Sequence, residues 1–203
     1  DPNSSENRFE SRCLPSFNTY PFINPRIVQE LTSWVSDGGN QVVAIDLEGS
    51  QNSDRYSLPG NYSKSETHVS FDNGSSFGYK YIGQTESGVT VLLTGSDDGG
   101  SATWVDLLFV VIESGQQFDV EDLSDTIGRT RWGNPTRILK KVGQQNLGDR
   151  WYGKVQVRGN SVYIGKDHGH YSEDSTDADL DTLTNDWARI LVIDYSASGK
   201  TVR

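Results

Sequence analysis

The chain has 203 residues, 33% hydrophobic and 23% charged, with five Trp, nine Tyr and seven Phe. That is enough for a domain with a core of its own, while a single cysteine excludes a disulfide-stapled scaffold and a multi-cysteine zinc site. Eighteen Lys+Arg against 28 Asp+Glu give a net charge of −10, which argues against general affinity for nucleic acid or anionic lipid. The longest apolar run, Leu107 to Ile112, is far short of the roughly 18 residues of a membrane span.

Residues 1–16 are polar and read as a flexible or wrapping segment, with a single domain over 17–203. The first convincing element is a helix. Asn24 is a good N-cap and Pro25 a good first helical residue; Ile27, Leu31 and Trp34 follow at helical spacing, and Gly38-Gly39 ends it. After it the pattern is β. Val42 to Leu47 is a short run rich in β-branched residues, and Asp72-Asn73-Gly74 is a tight turn between strands His68 to Phe71 and Phe77 to Ile82. Val89 to Leu93 is the next strand. Trp104 to Ile112 is apolar on both faces, which predicts a central strand covered on both sides. Residues 116–147 fit helical turns or edge strands equally well. Trp151 to Arg158 and Ser161 to Lys166 flank Gly159-Asn160 as a two-residue hairpin, and Arg189 to Tyr195 is a last buried-looking strand. Strands that follow one another after short turns predict a mainly β fold, an antiparallel β-sandwich or jelly roll with one N-terminal helix.

Near the C-terminal end, Glu173 to Asp181 alternates acids as a calcium loop does. The EF-hand pattern fails, because Thr182 stands where glycine is needed and Ala188 where glutamate is needed. The favoured reading is a short helix over 177–187: Ser175 or Thr176 caps it, and Leu180, Leu183 and Trp187 form its apolar stripe.

Positive charge is concentrated. Arg129 to Lys166 holds nine cations against one acid, Asp149, a local charge of +8 that leaves −18 for the remainder. In the hairpin register 158 faces 161, 156 faces 163 and 154 faces 165. This turns Val155, Val157, Val162 and Ile164 to the core. Arg150, Tyr152, Lys154, Gln156, Arg158 and Tyr163 then share the outer face, with Trp132 near by. Arg and Lys hold carboxylate or sulfate, phenols stack on sugar rings and an amide bonds hydroxyls, so this face suits an acidic polysaccharide. The competing reading is an ordinary solvated sheet face, neutralised by the acidic remainder of the chain.

Other candidate sites are weaker. His168 and His170 could share a metal with Glu173 or the distant His68 as third ligand; the His168, His170, Glu173 spacing resembles the cupin metal motif, though the gap before Glu173 is shorter than in cupins and the earlier glycine and second His-bearing half are missing. A divalent metal there is the one cofactor the sequence offers. Gly74-Ser75-Ser76-Phe77-Gly78 matches a nucleophile elbow in spelling only, since a strand follows it rather than a helix. Asp46, Asp106 and Asp194 each interrupt an apolar strand; two of them meeting across a cleft would make a glycosidase-like acid pair.

Three functions follow as expectations. The first is an exported carbohydrate-binding domain, extracellular or periplasmic, as glycine-, serine- and asparagine-rich loops and the scarcity of Lys favour. The second is an enzyme on the same scaffold: a polysaccharide lyase with Tyr152 or Tyr163 as proton donor, or a metal enzyme using the histidines. The third is a structural surface domain with a protein partner.

Overall fold

The computed structural model describes residues 23–32, 42–47, 62–64, 68–72, 74–97, 99–120, 130–167, 187–196 and 199–202. The fold is a mainly antiparallel β-sandwich, with one helix among the described residues laid on it. In chain order the elements are α1 (Pro25–Thr32), β1 (Ala44–Asp46), β2 (Tyr62–Lys64), β3 (His68–Asp72), β4 (Ser76–Gln84), β5 (Thr90–Asp97), β6 (Trp104–Val120), β7 (Thr130–Asp149), β8 (Val155–Arg158), β9 (Ser161–Gly165), β10 (Trp187–Ser196) and β11 (Gly199–Val202). The larger sheet runs β1-β7-β6-β5-β4-β3-β2 and the smaller β11-β10-β9-β8. Each is a meander of consecutive strands, with β1 added beside β7, so the connectivity is that of a sandwich of two meanders.

The N-cap behaves as its chemistry requires. The Asn24 side chain accepts a hydrogen bond from the Arg26 amide at 2.9 Å, and its carbonyl accepts from Ile27. Ile27, Val28 and Leu31 are fully buried against the larger sheet. At the other helix end the Lys141 ammonium, carried by β7, donates to the Leu31 carbonyl at 2.7 Å and supplies the cation that the helix's own last turn lacks. Tyr79 on β4 fixes the entry to the helix by donating its hydroxyl to the Ile23 carbonyl at 2.7 Å; burial raises that phenol's pKa.

Strand β6 explains why two cores exist. Leu108 and Val110 face the helix, while Val105, Leu107, Phe109 and Val111 face the smaller sheet, where they meet Val162, Ile164 and Ile193. This is the doubly covered strand that its unbroken apolar run predicts. The described part of the ambiguous region is strand: β6 runs on to Val120 and β7 spans Thr130 to Asp149, while 121–129 lie outside the described residues. The last strand departs from expectation. Within β10 only Ile193 is buried; Trp187, Leu191 and Tyr195 are half-buried, and Ile190 and Val192 are exposed. Trp187, expected on a helix stripe, opens β10 opposite Gly165. The rest of that expected helix, its calcium-loop alternative, the region following Thr32 up to residue 41 and the 1–16 segment lie outside the described residues.

The two sheets are fastened at one corner. Gly159, with φ of 58°, takes the first loop position of the β8–β9 turn, as a type II′ hairpin requires. Its carbonyl accepts from the Glu86 amide at 3.1 Å. The Asn160 side chain accepts from the Ser87 amide at 2.8 Å, and the Ser87 hydroxyl donates to the Ile193 carbonyl at 3.2 Å. Asn160→Ala would leave the Ser87 amide without its partner while sparing the Asn160 carbonyl bond to Ile193. The expected loss is about 1–2 kcal/mol with unchanged m in urea unfolding. An unaltered midpoint would show that the corner does not hold the sheets together.

Candidate functional site

The hairpin register is the one the sequence predicts: Gln156 pairs with Tyr163, Arg158 with Ser161, and the Gly165 amide bonds the Lys154 carbonyl at 2.8 Å. Val162 and Ile164 are buried, Val155 and Val157 pack beside them, and Gln156, Arg158 and Tyr163 share the outward face. There they form a cluster. The Arg158 guanidinium donates to the Gln156 amide oxygen at 2.8 Å and lies 5.1 Å from the Tyr163 ring centre. It is 5.8 Å from the ring of Trp187, and the two rings are 5.4 Å apart at 59°. Among the described residues Arg158 has no carboxylate partner; two tilted rings and an amide hold its fork instead. Exposed Ile190 and Val192 extend the platform along β10.

The rest of the expected ladder is arranged differently. Residues 151–154 are not strand, so the alternation does not reach Arg150. Arg150 sits in a turn with φ of 47°, and its guanidinium grips Asp149 at 3.0 and 3.2 Å. That contact lowers the Asp149 carboxyl pKa and raises the Arg150 pKa. Tyr152 is exposed, with its amide bound to the Asp167 carboxylate at 3.0 Å. Trp132 pairs with Phe118 in the β6–β7 ladder. His168, His170 and Glu173 lie outside the described residues; among the described ones no group of three His, Cys, Asp or Glu side chains is placed to hold a metal.

The three strand aspartates do not converge. Asp46 accepts from the Thr136 hydroxyl at the β1 edge, and Asp106 accepts from the Asn146 amide at 3.0 Å. Their β7 partners, Ile138 and Asn146, are eight residues apart, roughly 25 Å along the strand. Asp194 belongs to the other sheet, opposite Thr201.

A cavity that sequence reading missed lies on the large sheet's face toward the smaller sheet, beyond that sheet's cover. Its volume is about 670 Å³. The ladder explains its floor: Ser63, Ser70, Gly78, Gly95 and Val105 are successive cross-strand neighbours on β2 to β6. A row of short side chains across five strands leaves a trough. The Ser63 and Ser70 hydroxyls share a hydrogen bond of 2.9 Å. His68 leans over Gly78, where an added Cβ would lie 2.9 Å from its Nε2. Burial of the imidazole, and then the neighbouring Lys80 charge, hold the His68 pKa below its ordinary value, so at pH 7 the ring is neutral. Asp72 and Trp151 also line the trough.

No family model, curated protein or solved structure matches this chain.

Proposed function

We propose that this is an exported carbohydrate-binding β domain that holds an acidic glycan on the outer face of its smaller sheet. The observation that carries the reading is Arg158 lying over Tyr163 and Trp187 with no carboxylate against it among the described residues. The fork keeps donors for a uronate or sulfate, and the tilted rings offer an apolar edge to a sugar. Gln156 reaches hydroxyl groups beside it. Arg150 contributes less than its position in the sequence implies, because Asp149 already holds it.

Retention on an acidic-polysaccharide gel at low salt tests the proposal, since an exposed ion contact weakens as salt rises. Arg158→Ala removes a charge-assisted hydrogen bond worth about 1.5–3 kcal/mol, so affinity is expected to fall about 10- to 100-fold. Trp187→Ala should weaken retention as well, while Arg150→Ala should change it little. No retention of the unmodified protein at low salt would remove the reading. Absorbance of an unsaturated product in the same incubation would replace it with the lyase.

A further inference from the structure

The geometry points to a second ligand site, for a neutral oligosaccharide, in the trough across β2 to β6. It does not depend on the outer-face reading. About 670 Å³ is the size of a small-molecule pocket and too large for a lone ion. Its chemistry is mixed in a specific way. Lys80 and Asp72 supply one cation and one carboxylate, so the trough has no strong net charge to favour a polyanion. Paired hydroxyls of Ser63 and Ser70 offer further donors and acceptors, His68 adds a neutral imidazole, and Trp151 supplies an aromatic wall at the inner end. Vicinal hydroxyls demand donors and acceptors side by side, and the apolar face of a sugar ring demands an aromatic surface. A neutral saccharide meets both demands; a lipid tail would meet only the second and would lay hydrocarbon against the Lys80 and Asp72 charges.

Gly95 permits a direct test. An added Cβ there has nothing within 4 Å, so a large side chain can enter the trough without displacing the fold. Calorimetric titration uses cellotetraose, chitotriose, mannotriose, laminaritriose and xylotriose at high salt, which suppresses the outer face. At least one should bind the unmodified protein. Gly95→Phe is expected to weaken that binding at least about tenfold by occupying the site, with its thermal midpoint nearly unchanged. Arg158→Ala should leave it intact. If Gly95→Phe proves unstable, Lys80→Ala, at an exposed position, should weaken binding about fivefold or more by removing a donor. Failure of all five sugars to bind overturns the inference, as does full affinity in a folded Gly95→Phe or, where that variant is unstable, in Lys80→Ala. Either result leaves the acidic-gel reading standing, and loss of gel retention alone leaves this one standing.

Discussion

Phe109→Ala is expected to remove about 3–5 kcal/mol of stability, the scale for deleting a fully buried aromatic ring. Phe109 is 1% exposed and belongs to the core between the two sheets. On β6 it lies between Val91 of β5 and Gly143 of β7. Gly143 has no side chain to swing into the space, and strand neighbours hydrogen-bonded on both sides resist collapse, which puts the cost toward the upper end. Since a domain is stable by only about 5–15 kcal/mol, the variant should sit close to unfolding at 37 °C. Urea unfolding followed by tryptophan fluorescence measures the loss. A loss below about 1 kcal/mol would mean that the sheets do not share this core, because a void of ring size is never that mild in a close-packed interior.

What was legible in the sequence was local. Asn24-Pro25 announces the helix start, Asp72-Asn73-Gly74 the β3–β4 turn and Gly159-Asn160 the β8–β9 register, because each depends on a few adjacent residues and on a backbone that glycine or asparagine alone adopts easily. The doubly covered β6 was legible for a similar reason: Leu107 to Val111 is apolar at every position and is buried on both faces, although Trp104 and Ile112 at the ends of the predicted strand are exposed. Three things were not. Trp151 has the parity of Val155 and Val157, so period-two alternation starts the strand at Trp151 and assigns Arg150 to its outer face, whereas Gly148 at φ 110° and Arg150 at 47° turn the chain there. Trp187 fits a helical stripe with Leu180 and Leu183 and also begins a β run; only its pairing with Gly165 decides. The trough needed long-range register: Ser70 and Gly78 fall inside predicted strands, but they line up with Ser63 and Gly95 as a floor only once the strands are aligned. The cation cluster was half legible for the same reason. Gln156, Arg158 and Tyr163 come from one hairpin, but the ring that completes it arrives from β10.

Gly153→Ala tests the segment that joins the trough to the hairpin. An alanine Cβ would lie 2.2 Å from Trp151 Cζ2 and 2.8 Å from the Lys166 carbonyl oxygen. The backbone of Gly153 is not left-handed, so the effect is one of space and not of strain. Neither neighbour yields easily: Trp151 is 9% exposed within the inter-sheet core, and the Lys166 oxygen belongs to the backbone just after β9. Bonds from the Tyr152 amide to Asp167 and from the Gly165 amide to the Lys154 carbonyl pin the segment on either side. The expected cost is therefore at the upper end of the overpacking range, about 3 kcal/mol. Displacement of Trp151 should also weaken any sugar bound in the trough. Gly95→Ala is the matched control, an added methyl in open space, expected within about 0.5 kcal/mol of the unmodified protein. Equal stability of the two variants would place Trp151 and Lys166 away from Gly153 and remove the inner wall of the proposed site.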